Sequence, residues 1–306
     1  MFTEKMTIAA LPPFSFDLSA EIFASGDKQI RNCNNGKFWQ VIRFNRKLAL
    51  TTIESIGTVD KPKLSVELRS NAGINRQDIK KAEDTIKFLF SLDFDLKPFY
   101  ERVKEDKIMA SLTSNLWGLK SPTTLTVFEA LVDSIVEQQI SLKVANGIEN
   151  KITKKFGDAL NLEGDTYYAY PTPQKLASAQ TEELRQCGLS LRKGEYIKEV
   201  ATLITQGKLN LEKISSYESM EQIIRELDEI RGIGVWTAEL TMLRGMQRLE
   251  ALPADDLGLR RVISRYYFSG KKISSAEARQ TAEAWGEWKG LAAYYLVVAD
   301  MKDIEV

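Results

Sequence analysis

The spacing of apolar residues divides the chain into a strand-rich beginning and a long helical remainder. Three early segments are rich in β-branched and aromatic residues and partly alternate between apolar and polar positions, which is typical of half-buried strands. These segments are "KFWQVIRF" (37–44), "KLALTTIES" (47–55) and "KLSVELRS" (63–70). Turns are predicted at "NRK" (45–47) and "TVDKPK" (58–63), whereas residues 15–26 fit either a helix or a strand followed by a turn.

A helix is predicted to close this first region. Within residues 75–92, apolar side chains recur at helical spacing at Ile79, Ala82, Ile86 and Leu89. An antiparallel sheet with helices on one face is therefore expected over residues 1–92, as a separate α+β domain.

From residue 93 onward the pattern is almost all helix. Helices are predicted at residues 97–109, 123–137, 141–156, 173–180, 181–187, 190–206, 217–230, 234–247, 256–268, 274–287 and 289–300. The segments "GDTYYAYPTP" (164–173) and "PADD" (253–256) are interpreted as connections between helices.

Composition narrows the chemistry that this chain can perform. Its 306 residues include no histidine and two cysteines, Cys33 and Cys187. A histidine general base, a Ser–His nucleophile and a histidine metal site are therefore excluded, and two thiols cannot supply the four thiolates of an all-cysteine metal site. We expect chemistry from carboxylates, Lys, Tyr, Ser, Thr or backbone groups, without a cofactor.

Net charge and hydropathy give limited information about the partners and the location of the protein. Lys plus Arg and Asp plus Glu balance at 42 each, so the net charge gives no sign of a nucleic-acid partner. No apolar run approaches the roughly 20 residues that cross a bilayer, and the N-terminal apolar run is too short and interrupted for a signal peptide. We expect a cytoplasmic protein with no membrane partner, acting as a monomer.

The most informative stretch is "LDEIRGIGVWTAEL" (227–240). It reads as a helix, a turn made of Arg231, Gly232, Ile233 and Gly234, and a second helix. Two glycines allow a sharp, closely packed turn and leave the amides at the start of the second helix uncovered. These N–H groups and the helix dipole favour an anion such as a DNA phosphate. Alone, the stretch fits an ordinary helical corner equally well.

A second motif favours a particular family. "GIGVWTA" is followed about twenty residues later by "LPADDLGLRR" (252–261), and together they resemble the helix-hairpin-helix DNA glycosylase superfamily. Residues 128–157 and 184–204 are similar to segments of its DNA-3-methyladenine glycosylase II (AlkA-type) branch. The resemblance implies an α+β fold in which a small N-terminal antiparallel sheet with helices precedes a mainly α-helical, two-lobed body. That body would span residues 93–306, with one lobe at 122–230 and the other formed by 93–121 plus 231–306.

The resemblance also implies which residues act on the substrate. Asp256 matches the catalytic carboxylate, which stabilises the positive charge that develops on the sugar. Asp255 is the neighbouring alternative, and an Asp before an apolar helical run also makes a favourable N-cap. Trp236 stands where bifunctional relatives carry a Schiff-base Lys, and its ring is implied to stack on the flipped base. Leu240 and Leu257 match base-pocket positions that relatives fill with aromatic residues.

The segment "EQQIS" (137–141) matches the loop that the family inserts into the DNA duplex. Gln138, Gln139 and Ile140 are the wedge candidates, with Gln139 at the aligned position. Solvated glutamines at a helix junction would give the same pattern. No side-chain metal site is implied, although the backbone carbonyls of Ile230 and Ile233 are candidates for a bound cation.

The implied function is that of a monofunctional DNA glycosylase in base excision repair. Such an enzyme flips a damaged, preferentially alkylated base out of double-stranded DNA and releases it by hydrolysis. One alternative is a bifunctional or oxidised-purine (8-oxoguanine) glycosylase/lyase, against which the absence of Lys between Arg225 and Arg265 argues. A second alternative is a non-catalytic protein that recognises DNA structure through the hairpin.

Overall fold

The computed structural model describes residues 1–24, 26–44 and 47–306 and shows an N-terminal sheet followed by a helical body. The strands are β1 (Phe2–Ala9), β2 (Arg31–Asn34), β3 (Lys37–Phe44), β4 (Lys47–Ser55), β5 (Lys63–Ser70), β6 (Asp158–Leu162) and β7 (Asp165–Ala169). The first helices are α1 (Phe16–Phe23), α2 (Arg76–Leu89), α3 (Lys97–Val103), α4 (Lys107–Asn115), α5 (Val127–Glu137), α6 (Leu142–Phe156), α7 (Pro173–Ser178) and α8 (Thr181–Gln186). They are followed by α9 (Leu191–Thr205), α10 (Leu211–Ser215), α11 (Met220–Asp228), α12 (Val235–Met246), α13 (Leu257–Tyr267), α14 (Ser275–Ala282), a 3₁₀ helix at Glu283–Trp288 and α15 (Lys289–Met301). The predicted α+β fold is confirmed.

The N-terminal sheet is antiparallel, in the order β1-β5-β4-β3-β2. One face packs on α1 and α2, around buried side chains such as Phe38, Ile53 and Leu68. The sequence pattern did not predict β1 because this edge strand is mostly exposed and lacks the apolar alternation of a half-buried strand. Residues Phe16–Phe23 are helical, which resolves the ambiguity at 15–26. Ser25, and Asn45 and Arg46 of the predicted turn at 45–47, lie outside the described residues.

The connection predicted at residues 164–173 is wrong in its first half, because β6 and β7 form a hairpin there. Its two-residue turn, Glu163 and Gly164, has φ values of 52° and 93°, as a tight hairpin turn requires. Leu160 and Leu162 of this hairpin pack against side chains of β3 and β4. The hairpin therefore covers the second face of the N-terminal sheet and ties it to the helical body.

Two buried clusters form the interior of the helical body. One joins α5, α6, α9 and neighbouring helices, and the other joins α3, α4, α13 and α15. Ala238 and Met242 of α12 belong to the first cluster. The two buried clusters thus meet after α12, and the predicted domain and lobe boundaries, including the one at residue 230, stay a prediction.

Side-chain caps set several helix boundaries that periodicity alone misplaced. The helix predicted at 97–109 is two helices, because Asp106 caps α4 by accepting hydrogen bonds from the amides of Ile108 and Met109. The helix predicted from residue 123 begins at Val127, where Thr126 provides the N-cap. Among the helices of the described ranges, none has both the length and the hydropathy that a bilayer-spanning segment needs.

Candidate functional site

The hairpin between α11 and α12 is held in place by its apolar residues and one glycine. Ile230 and Ile233 are buried, and the Ile233 amide donates to the Ile230 carbonyl over 3.0 Å. Gly232 has a φ of +88°, and a Cβ there would lie 2.2 Å from the ring of Tyr196 on α9. Only glycine fits this contact and this backbone conformation.

The start of α12 is open. Gly234 is its N-cap, with extended backbone (φ −108°, ψ 179°) and no side chain to accept hydrogen bonds from the first turn. A Cβ at Gly234 would meet nothing within 4 Å. The first amides of a twelve-residue helix therefore face open space, which is the arrangement that favours an anion.

Arg231 and Arg244 differ in their availability to a ligand. Arg231 is 63% exposed, 3.4 Å from Glu195 and stacked over Tyr196. Arg244 instead pairs with the buried carboxylate of Glu137 at the end of α5. Arg231 can reach a phosphate at the surface, whereas Arg244 is held inside the fold.

The three wedge candidates are placed differently. The Gln138 side chain turns inward, and its Nε2 donates to the Gly232 carbonyl over 2.9 Å and to Thr237 Oγ1 over 3.0 Å. Gln139, with a φ of +59°, and Ile140 are exposed at the tip of the loop. Gln138 therefore links the loop to the hairpin, and the wedge prediction is kept only for Gln139 and Ile140.

Lys193 on α9 supports the same loop and was not identified from the sequence. Its Nζ donates to the carbonyls of Val136 over 2.7 Å and Gln138 over 2.5 Å, at the C-terminal end of α5. Burial lowers the pKa of Lys193. Large apolar side chains on the segments joined by these bonds are exposed, namely Ile140, Leu142, Val144, Leu191 and Val235. The loop and the hairpin thus share an exposed apolar rim.

Trp236 and Leu240 lie on one face of α12, one helical turn apart. Both are partly exposed. In the described part of the chain, neither belongs to the buried clusters or to the side chains packed against them. These residues are therefore available to line a cleft, rather than filling the core as helical spacing alone would suggest.

Asp256 is the N-cap of α13. Its Oδ1 accepts a hydrogen bond of 2.7 Å from the Leu259 amide, which fixes the orientation of the carboxylate. No residue within 1–24, 26–44 or 47–306 donates to the other carboxylate oxygen. The cap geometry expected for an Asp here is present, and one oxygen remains free for a ligand.

Asp255 and Leu257, on either side of Asp256, face outward. The Asp255 side chain is 57% exposed and approaches only Arg279, at 4.0 Å. Leu257 is 75% exposed, so its predicted place in a base pocket has no protein contact to support it.

Arg279 on α14 brings the Asp256 loop and the hairpin helix together. Its guanidinium makes a bidentate ion pair with the buried Glu239 of α12, over 2.8 and 3.0 Å. It also donates to the Leu252 carbonyl, over 3.1 Å, at the start of the loop that carries Asp256. Glu239 follows Trp236 by three residues, about one helical turn, so this bridge links the loop that carries Asp256 to the helix that carries Trp236.

No group of three or more acidic, Cys or His side chains in the described ranges is arranged to hold a metal ion. Ile230 and Ile233 remain candidates for a backbone-bound cation, since a carbonyl that accepts one hydrogen bond keeps a second lone pair.

Comparison with known proteins identifies the family. Residues 132–287 match the family described as HhH-GPD superfamily base excision DNA repair protein. A DNA-3-methyladenine glycosylase of Bacillus subtilis is 31% identical over 219 residues, which are 71% of this chain and 72% of the relative.

Solved structures show the same fold over nearly the whole chain. A 3-methyladenine DNA-glycosylase from Archaeoglobus fulgidus superposes with a TM-score of 0.86 and 26% identity, covering 98% of this chain and 100% of its own. A Clostridium acetobutylicum 8-oxoguanine glycosylase/lyase bound to double-stranded DNA has a TM-score of 0.77 at 22% identity, with 99% of both chains covered, and shows the fold alone. The predicted resemblance is confirmed: the chain belongs to the HhH-GPD superfamily of base excision DNA repair proteins.

Proposed function

We propose that this chain is a monofunctional DNA glycosylase that acts as a monomer on duplex DNA and releases alkylated bases by hydrolysis. The observation that carries the proposal is the Arg279 bridge, which joins the loop of Asp256 to the face of α12 that carries Trp236. This link supports a site in which a carboxylate for the sugar and an aromatic ring for the base act on the same nucleotide. The 3-methyladenine glycosylases of Bacillus subtilis and Archaeoglobus fulgidus support the substrate class.

Four features of the surface then act in sequence on the DNA. The open amides after Gly234 and the exposed Arg231 hold the phosphate backbone. Gln139 and Ile140 enter the duplex where the base has left. Trp236 stacks on the extruded base, and Asp256 faces the sugar as its N-glycosidic bond breaks. A fixed carboxylate at that point stabilises the developing positive charge and orients the attacking water.

The choice between hydrolysis and a lyase reaction rests on Trp236. A Schiff-base lyase needs a Lys at this position, and Trp cannot form the imine. Release of free base from duplexes that each contain one lesion tests the proposal directly. Borohydride trapping of an enzyme–DNA adduct would instead indicate the bifunctional alternative, and DNA binding without release of any base would indicate the non-catalytic one.

DNA binding should weaken with salt although the net charge is zero. Arg231, Lys143 and Arg192 are exposed around the hairpin and the wedge loop, so a few phosphate contacts are available. Each contact contributes about −0.9 to the slope of log affinity against log salt. Titration of a labelled duplex between 50 and 300 mM salt, roughly the range over which such contacts are lost, measures this slope. A slope near zero would contradict phosphate binding by this face.

Replacing Trp236 by Ala should reduce the excision of cationic lesions more than that of neutral ones. A tryptophan face attracts a cation by about 0.5–2 kcal/mol beyond its apolar contact, and a methylated purine carries that positive charge. Single-turnover release of 7-methylguanine and of hypoxanthine gives the comparison. Equal losses for both bases would show that Trp236 only supports the fold.

A further inference from the structure

A group of ionisable side chains is gathered between α12, α5, α6 and the N-terminal sheet. Its carboxyl groups are those of Glu129, Asp133, Glu137 and Glu149, and its guanidinium groups are those of Arg31 and Arg244. Glu129, Asp133 and Glu137 are four residues apart along α5, so they lie on one face of the helix, and all three are buried. This set is called the acidic cluster below.

The acidic cluster has two more carboxyl groups than it has arginines to pair with them. Arg244 pairs with Glu137, and Arg31 lies 3.8 Å from Glu129. Asp133 accepts a hydrogen bond of 2.8 Å from the hydroxyl of Tyr170. Glu149 on α6 has neither kind of partner within the described ranges. Glu149 is therefore the acid in this group that a ligand could still pair with.

Two buried polar atoms beside Arg244 are unsatisfied. The Oε1 atom of Glu149 and the hydroxyl of Tyr294 are shielded from solvent, and neither has a hydrogen-bond partner in the part of the chain that the structure describes. Buried polar atoms are almost always hydrogen-bonded, because an unmade bond costs free energy. Two such atoms near one arginine indicate a place where a ligand supplies the missing bonds.

The position of these atoms connects them to the proposed base cleft. Trp236, Leu240 and Arg244 are spaced by four residues and share one face of α12, and side chains of a helix lean toward its N-terminus. The guanidinium of Arg244 therefore lies near the level of Leu240, and 33% of the side chain remains exposed despite its ion pair. The side of α12 that carries Trp236 therefore continues to the acidic cluster.

Helix α15 lies opposite this side of α12. Its residue Gly290 packs directly against Leu243 of α12, where a Cβ would lie 2.2 Å from the leucine side chain. Tyr294 is one turn further along the same face of α15, close enough to Arg244 of α12 for their charges to interact. Arg244 thus lies near both Tyr294 and Glu149, at the inner end of the side of α12 that carries Trp236.

The charge state of Glu149 depends on what occupies the cleft. Burial raises the pKa of the Glu149 carboxyl to about 7, the neighbouring Glu137 raises it as well, and Arg244 opposes them. Burial also raises the pKa of Asp133 well above its usual range, with Glu149 adding to the effect. Arg31, Glu129, Tyr170 and Tyr294 are the remaining ionisable groups around these acids. In the unoccupied acidic cluster, Glu149 is therefore protonated below about pH 7.

We propose that Glu149 determines base specificity at the inner end of the cleft, where it pairs with a positively charged, alkylated purine while Tyr294 hydrogen-bonds its edge. The proposal rests on the glycosylase function proposed above. When a cationic base enters, Glu149 releases its proton to solvent and the carboxylate balances the charge of the base. An uncharged base gains hydrogen bonds from the protonated acid and from Tyr294, but no charge pair.

Glu149→Gln and Tyr294→Phe test this assignment in the full-length protein, with Glu4→Gln on the exposed edge strand as the matched control. Gln mimics the protonated acid, and Phe removes an atom that has no partner, so thermal unfolding should stay near that of the parent. The measurement is single-turnover release of 7-methylguanine (cationic) and hypoxanthine (neutral) from single-lesion duplexes between pH 5.5 and 8.5.

For Glu149→Gln we expect release of 7-methylguanine to fall about tenfold relative to hypoxanthine, because a charge pair at an effective dielectric constant of about 20 changes binding by at least that factor. In the parent, this release should rise with pH through about 7 as Glu149 loses its proton. The variant should lose that rise. Tyr294→Phe should slow the release of both bases without lowering the unfolding temperature.

Three outcomes would overturn the assignment. Equal losses for both bases in Glu149→Gln would give Glu149 a purely structural role, and unchanged release in both variants would show that the base does not reach the acidic cluster. Failure of the parent to release any base from any duplex would overturn the proposed function and this assignment together. With an active parent, either of the first two outcomes overturns the assignment alone and leaves the proposed function standing.

Discussion

Asp256→Asn should abolish base release while leaving the binding of damaged DNA intact. The carboxylate accepts one hydrogen bond, from the Leu259 amide, and an asparagine Oδ1 can accept the same bond and cap α13 equally well. What the substitution removes is the negative charge that faces the sugar. Loss of one preorganised electrostatic group of this kind costs about 10²–10³ in rate. Single-turnover release of 7-methylguanine, with binding measured on the same duplex, separates the two effects.

Asp255→Asn is the matched control, since it makes the same chemical change one residue earlier. Asp255 is exposed and does not cap the helix, and its nearest cation, Arg279, already has a bidentate partner in Glu239. We expect this variant to keep most of its activity. Inactive Asp255→Asn with normal Asp256→Asn would move the catalytic role by one residue, and normal activity in both would exclude the mechanism proposed here.

Local features of the site could be predicted from the sequence because they depend on residues close together in the chain. The hairpin has two glycines and two apolar anchors within five positions, and the structure has the sharp turn and the uncapped helix start that this pattern predicts. The N-cap geometry of Asp256 likewise follows from an acidic residue placed before an apolar helical run. Their catalytic and DNA-binding roles stay predictions.

The contacts that assemble the site could not be predicted in this way. Arg279 and Glu239 are 40 residues apart, and Arg244 and Glu137 are 107 apart, so no local period relates them. A charged residue near a hairpin usually faces solvent, and nothing in the sequence indicates that Arg244 does otherwise. The ion pair with Glu137 turns it inward and makes it part of the acidic cluster.

The inward position of Gln138 and the β6–β7 hairpin are two further features that the sequence pattern did not predict. A glutamine at a helix junction has no preferred direction in sequence, and only the nearby Gly232 carbonyl and Thr237 hydroxyl make the inward position favourable. For the strands a signal was present: Leu160 and Leu162 alternate with polar residues before Glu163 and Gly164. Five-residue strands are short enough for the surrounding helical pattern to obscure that signal.

Gly234→Val should weaken binding to every DNA sequence by a similar factor, because it affects the phosphate contact and not the reading of bases. Gly234 has a φ of −108°, which valine adopts readily, and its Cβ would meet nothing within 4 Å. The folded state should therefore survive with a loss of about 1 kcal/mol for the poorer N-cap. The branched side chain would stand over the first amides of α12, where a phosphate would bind, so we expect about a tenfold loss of affinity.

Gly232→Ala provides the contrast within the same turn. Alanine at a φ of +88° is strained, and its Cβ would lie 2.2 Å from the Tyr196 ring, so the turn or the ring must move. We expect this variant to lose roughly 1–3 kcal/mol of folding stability, well beyond the loss in Gly234→Val. Thermal unfolding and titration of a lesion-containing and an undamaged duplex distinguish the two positions. If Gly234→Val is folded and binds both duplexes as tightly as the parent does, the hairpin amides do not hold the phosphate backbone.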